Sequence, residues 1–113
     1  MDDLTRRLAD GPHPLTVGGP QPSLEDLRRR VEEIGYVFVK FTGTQGGTDL
    51  GVRLDRDASQ VGSADFGAGT GSIHVEGTLY LNDDPVRCIA DIDLATMNGT
   101  GHVVLVTEAE LVG

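Results

Sequence analysis

The stretch Ser72-Ile73-His74-Val75-Glu76-Gly77-Thr78-Leu79-Tyr80-Leu81 alternates apolar and polar side chains, the period of a β-strand with one buried face. Ile73, Val75, Leu79 and Leu81 share one side. Asn82-Asp83-Asp84-Pro85 then carries turn chemistry, Asx side chains that bond nearby backbone and a proline with no amide to donate. The next segment, Val86-Arg87-Cys88-Ile89-Ala90-Asp91-Ile92-Asp93-Leu94, alternates again. It gathers Val86, Cys88, Ala90, Ile92 and Leu94 on one face. Asn98-Gly99 reads as the tip of a two-residue hairpin, with Gly101-His102-Val103-Val104-Leu105-Val106-Thr107 as the returning strand. Loops at Asp83-Asp84 and Asn98-Gly99 set Leu79 opposite Cys88 and Leu94 opposite Val103, an apolar-to-apolar register across three strands.

Upstream, Ser23 is placed as an N-cap, and Leu24, Leu27, Val31 and Ile34 recur at helical spacing before Gly35. The opposite face, with Glu25, Arg28, Arg29, Glu32 and Glu33, is solvated. Tyr36-Val37-Phe38-Val39-Lys40-Phe41 and Asp49-Leu50-Gly51-Val52-Arg53-Leu54 form a further hairpin. A Gln45-Gly46 loop pairs Phe41 with Leu50, Val39 with Val52 and Val37 with Leu54. Residues 55–71 have no clear period and read as a long surface connection with a short edge segment near residues 61–66. Residues 2–10 suit a short helix with acidic residues first and Arg6 and Arg7 later. Residues 11–22, with four prolines and three glycines, read as a linker or extended arm.

The expected architecture is α+β: one main N-terminal helix followed by about five mostly antiparallel strands in a curved sheet or small partial barrel. Residues 1–22 form a flexible arm and residues 23–113 a single domain. At 113 residues the chain is long enough for one modest core.

Eighteen acidic residues against nine basic ones give a net charge of -9, which argues against nonspecific nucleic-acid or anionic-membrane binding. The lone cysteine, Cys88, excludes an intramolecular disulfide and a multi-cysteine zinc site. It falls on the inward row, where a thiol serves as a small apolar side chain. No secretory signal or membrane-length apolar run occurs, so the expected setting is soluble and cytoplasmic.

Three motif readings fail on context. Gly67-Ala68-Gly69-Thr70-Gly71 precedes a strand and lacks a Walker lysine, unlike a phosphate loop. Asp55-Arg56-Asp57-Ala58-Ser59 starts like a calcium loop, but Gln60 and Phe66 stand where glycine and a bidentate glutamate belong. Ser63 has no nucleophile-elbow pattern around it.

The central register places His74 opposite Asp93 and Glu76 opposite Asp91, on the face carrying Tyr80 and Arg87. Two neighbouring carboxylates repel, which favours keeping one protonated and provides an acid/base pair; the same four residues offer metal ligands. Against both stands a solvated face where opposed charges cost little. Ile89, Val104 and Val106 project to that face and argue for partial cover by a loop or a second subunit. On the first hairpin, Arg53 and Lys40 beside Tyr36 and Phe38 could position an anionic ligand, or simply lay their aliphatic stems on the sheet. His13 and His102 have no evident partners.

The leading expectation is therefore a small noncatalytic binding or accessory domain acting through a β-sheet face. Its ligand-contacting candidates are Tyr36, Lys40, Arg53, Tyr80 and Arg87. It needs no cofactor, and its partners are a protein, a small molecule or a second copy. The second reading is a cofactor-independent cyclase or isomerase with Glu76 and Asp91 as acid/base and His74 with Asp93 as an orienting pair, which requires an apolar cavity lined by those groups. The third is a metal-binding protein using His74, Glu76, Asp91 and Asp93.

Overall fold

The computed structural model describes residues 3–19, 22–44 and 46–107. Its elements are helix α1 (Asp3–Leu8), strand β1 (His13–Val17), helix α2 (Leu24–Arg29) running into a π-helical turn (Arg30–Ile34), then β2 (Tyr36–Phe41), β3 (Thr48–Leu54), β4 (Ser72–Leu81), β5 (Asp84–Asp93) and β6 (Asn98–Leu105). The fold is α+β, and the strands form a closed antiparallel barrel in sequence order, with β1 paired to both β2 and β6. The expected partial barrel of about five strands gains its sixth within the proline-rich stretch. There Leu15 sits opposite Phe41 on one side and Gly99 on the other.

Alternation explains the core. Val37, Val39, Phe41, Leu50, Val52, Ile73, Val75, Cys88, Ala90, Ile92 and Val103 all point inward and are buried. Six strands make a barrel narrower than the eight-stranded kind that side chains just fill, so these residues occupy the interior. Leu8 of α1 and Leu27 of α2 join the same cluster.

The faces agree with the sequence pattern, but the partners do not. Asn82 and Asp83, at φ 48° and 70°, are the two tip residues of the β4–β5 hairpin, the left-handed pair of a type I′ turn. Leu79 therefore meets Val86 and Gly77 meets Cys88, two places from the expected register. Val37 meets Val52, Val39 meets Leu50 and Phe41 meets Thr48, again two places away; Gln45 itself lies outside the described residues. The β5–β6 connection is the four residues 94–97, with Met97 at φ 61° and Leu94 buried. Asn98 and Gly99 belong to β6, and a Cβ at Gly99 would strike the Asp91 carbonyl oxygen, so close approach and not a turn calls for that glycine.

The expected single helix is divided. Ser23, in extended conformation, caps α2 by accepting the Asp26 amide at 3.1 Å, as its position predicted. The chain then widens into the π turn, which Gly35 ends with a left-handed φ of 77° and an amide donated to the Arg30 carbonyl at 2.7 Å. The wider turn changes the angular step. Ile34 leaves the Leu27–Val31 stripe and is 52% exposed. No described helix is long and apolar enough to cross a membrane.

β3 and β4 pair only at Arg53 with Thr78 and Leu54 with Gly77. A Cβ at Gly77 would collide with the Arg53 carbonyl oxygen, so this junction depends on glycine. Beyond it, residues 55–60 take up the ladder: the Asp55 amide donates to Glu76 O at 2.8 Å, and Gln60 bridges to His74. The expected edge segment near residues 61–66 is absent from the assigned strands, with only isolated bridges at Gln60 and Asp65. Gly77→Ala is expected to cost about 1–3 kcal/mol in urea unfolding. Gly62→Ala, where nothing lies within 4 Å, should stay within about 0.5 kcal/mol, and equal losses would contradict the close approach.

Candidate functional site

The candidate site lies outside the barrel where residues 55–60 meet β4. His74 and Glu76 are two apart on β4 and so share its outer face; Asp91 and Arg87 come from β5 and Asp55 from the end of β3. His74 Nδ1 is 2.7 Å from Asp91 Oδ1, and its Nε2 is 2.7 Å from Glu76 Oε2. Arg87 continues the chain, donating from Nε to Glu76 Oε1 at 3.0 Å and from a terminal nitrogen to Asp55 Oδ2 at 2.9 Å. Charges alternate along Asp91, His74, Glu76, Arg87 and Asp55.

The expected pairs are corrected by the two-place register change. His74 faces Asp91 and not Asp93, because Asp93 stands opposite Ser72 and Asn98 and accepts the Ala95 amide at 3.0 Å. Glu76 stands opposite Ile89, and His74 separates it from Asp91.

This geometry decides the chemistry. An ionised carboxylate only accepts hydrogen bonds, so an imidazole bonded through both nitrogens to carboxylates must donate from both and carry a positive charge. The hydrogen bonds that Glu76 and Asp91 accept raise the His74 pKa. His74, then Arg87, hold the Glu76 carboxyl below its usual range against the opposing effect of burial. Arg87, with the Ala58 and Asp57 amides, does the same for Asp55. The two carboxylates of the cyclase reading, Glu76 and Asp91, are thus not neighbours but stand on either side of the His74 ring. Among the described residues no group of three or more His, Cys, Asp and Glu side chains is arranged to hold a metal ion.

The hairpin candidates divide likewise. Arg53 sits opposite Tyr36, while Lys40 lies at the far end of β2 opposite Asp49, roughly 13 Å away at strand rise. A Cβ at Gly47 would meet the Lys40 stem, so that side chain lies along the surface. The Tyr36 hydroxyl occupies the space over Gly51, and its ring meets Phe38 edge-on at 5.4 Å. Arg30 stacks on Phe38, 4.8 Å from its centre, while bonded to Asp26 at 2.8 Å. Arg87 is occupied by two carboxylates, and Tyr80, opposite Pro85, is 57% exposed.

Several participants escaped the sequence reading. Asp55 accepts the Asp57 amide at 3.1 Å, so its resemblance to a calcium loop comes from an Asx turn. Ser59 accepts the Glu76 amide at 3.1 Å and donates to the Glu76 carbonyl at 3.3 Å. His13 does have a partner, since its Nε2 donates to Arg7 O at 2.6 Å and ties α1 to β1. In the glycine run, the amides of Ala68, Gly69 and Thr70 all bond Asp65 and are spent within the loop. Cys88 is buried as expected, and burial pushes its thiol up to about 12.

Among the described residues, clefts lie elsewhere: about 580 Å³ along α1 beside Arg6 and Asp10, about 420 Å³ beside Ser23 and Asp26, and about 390 Å³ between Leu4 and Thr48. None of these is lined by His74 or Glu76. No protein-family model matches the chain, and no curated protein matches it.

His74 stabilisation is complete below the ordinary histidine range and is lost as pH rises through its raised folded pKa. The Glu76 and Asp55 contributions are present above the ordinary carboxylate range and are lost as pH falls through their lowered values. The His74 ring protons should titrate by NMR with a midpoint above 6.5, and Glu76→Gln should lower it. A midpoint at or below 6.5 in the unmodified protein would contradict the doubly bonded imidazolium.

Proposed function

We propose that the protein is a small noncatalytic binding domain that contacts a protein partner through the outer sheet face of β2, β3 and β4. The observation that carries this reading is an exposed aromatic and cationic row outside a filled barrel. Arg53 lies opposite Tyr36 on one side and Thr78 on the other, with Tyr80 two residues beyond Thr78. Cross-strand diagonal neighbours of this kind lie about 7–8 Å apart, near enough for one partner segment to touch all three. Tyr36 and Tyr80 are among the exposed large apolar side chains, and the exposed Arg53 side chain makes no ion pair or hydrogen bond among the described residues.

Tyrosine and arginine suit such a face, because each combines a large desolvatable surface with hydrogen-bonding groups. The barrel interior is occupied by side chains, which turns attention to the exterior. Lys40, at the far end of β2, and Arg87, held within the charged chain on β5, are not part of this row.

The test installs a photo-crosslinking phenylalanine analogue in the full chain at Tyr80 and, separately, at Asp83 on the hairpin tip. Position 80 is expected to give discrete adducts that excess unmodified protein competes away and that Arg53→Glu removes. Identical adducts from both positions, or adducts indifferent to Arg53→Glu, would sink the reading.

A further inference from the structure

The geometry points to an extended, carboxylate-bearing segment of the partner as the occupant of this face, added as an antiparallel strand to the free edge of β3 at Asp49 and Gly51. The inference rests on the reading of the β2–β4 face as a protein-binding surface and names what binds there.

In an antiparallel strand, successive residues aim their backbone N–H and C=O groups at opposite edges. The Leu54 amide donates to Gly35 O at 2.9 Å, on the β2 side. Leu50 and Val52, at even spacing from Leu54, therefore bond toward β2, where they stand opposite Val39 and Val37. Asp49, Gly51 and Arg53 aim theirs the other way, toward β4. The Asp55 amide keeps the same phase by donating to Glu76 O at 2.8 Å. That bond also turns the backbone groups of Glu76, Thr78 and Tyr80 toward β3.

The ladder uses only some of these groups. Arg53 meets Thr78 and Leu54 meets Gly77, and among the described residues the pairing of β3 with β4 ends there. A continued register would set Gly51 against Tyr80 and Asp49 against Asn82, and neither pair forms. The end of β4 runs instead with β5 to the tip at Asn82 and Asp83. Below this junction Leu50, Val52 and Leu81 are buried, and Leu79 packs on the core. What is left open is a backbone edge and not a way into the barrel. Such an edge receives an added strand through main-chain hydrogen bonds.

The outward side chains supply the selectivity. Gly51 brings none of its own, and the Tyr36 hydroxyl lies over it. A residue of the incoming strand opposite Gly51 projects beside Tyr36 and stands diagonal to Arg53, about 7–8 Å between backbones and within reach of a long side chain. The exposed Arg53 makes no ion pair or hydrogen bond among the described residues, so a carboxylate at that place completes it. The neighbouring acids restrict the pattern. Asp49, opposite Lys40, holds the next outward place, and Asp83 and Asp84 stand at the hairpin tip. One carboxylate opposite Gly51, flanked by uncharged residues, is therefore the matching sequence.

Two measurements on the full chain test this. In the free protein, the Gly51 and Tyr80 amides should exchange with deuterium at least about tenfold faster, relative to intrinsic rates, than those of Val52 and Leu79, which lie in the β2 and β5 ladders. Equal protection would overturn the inference. The second measurement titrates the capped peptide Thr-Val-Glu-Val-Thr at about 0.15 M salt, where the chain's net charge of -9 is screened beyond about 8 Å. The peptide should shift the Asp49 and Gly51 amide resonances and slow Gly51 exchange. Methylating its glutamate amide, which faces β3, should abolish this, and methylating a valine amide, which faces away, should not. Lysine in place of glutamate should weaken binding about fivefold, and Arg53→Glu should reverse that order. Should Arg53→Glu fail to fold, the methylated peptides decide alone. Binding that tolerates the methylated glutamate, no response at Gly51, or Gly51 protection that rises with protein concentration before peptide is added, the mark of a second copy on this edge, would each overturn strand addition. Crosslinks from position 80 together with a Gly51 edge indifferent to the peptide would leave the protein-binding reading standing and remove this one.

Discussion

The structure depends on one short strand. The five residues of β1 pair with β2 on one side and β6 on the other, converting an open meander into a closed barrel. Without β1, β2 and β6 would each present an unpaired edge, the state that sheets avoid because it invites strand addition. The strand is short, and its neighbours reinforce it. His13 fastens it to the Arg7 carbonyl, the Thr42 amide donates to Pro14 O at 3.1 Å, and Thr16 donates its hydroxyl to Met97 O at 2.9 Å. Closure gives all inward side chains one shared interior.

Closure is uneven. Ten residue pairs join β4 to β5, whereas two join β3 to β4, so the barrel has a seam. The seam is completed by a loop strip and covered on its outer side by alternating charges. A contact made from partly exposed ion pairs contributes far less than buried apolar area, and its strength depends on pH and salt. Such a seam opens more readily than the apolar ladders around it. The neighbouring residues of the connection, anchored by Val61 and Phe66, limit how far an opening spreads.

Alternation in the sequence revealed which side chains face inward, and it could do no more. A period of two identifies faces modulo two residues: the expected registers of β2–β3 and β4–β5 were two places away and that of β5–β6 six. Each even displacement keeps Val39, Val52, Val75 and Cys88 in the core. It nevertheless exchanges every cross-strand partner, which is why Asp91 takes the place expected for Asp93 beside His74. Partners are selected by turn geometry, here the left-handed pair Asn82 and Asp83, and neighbouring Asp84 and Pro85 carry equally strong turn chemistry. The proline-rich stretch hid β1 for a related reason. Pro14 lacks an amide and lowers the strand signal, yet its carbonyl still accepts from Thr42. Asp55 and Ser59 had no periodic pattern to mark them, since their roles arise from a loop meeting a distant strand.

The distribution of cations strengthens the case for the β2–β4 face. In a chain of net charge -9, most arginines serve as internal fasteners. Arg28, Arg29 and Arg30 bridge to acids within their own helical segment, Arg56 binds carbonyls near the end of that segment, and Arg87 links β4 to the connection. Arg7 reaches the Gly43 carbonyl. Arg53 makes no such bond among the described residues. It stands between an aromatic residue on β2 and another on β4, on a strand where Gly51, two residues before it and opposite Phe38, leaves room for the Tyr36 ring to lie over the sheet. A guanidinium used only for solubility would have no need of that placement, whereas one meant to be desolvated by a partner benefits from rigid rings beside it. The Phe38 ring, already stacked by Arg30, buttresses Tyr36 and reduces the side-chain freedom that binding would otherwise remove.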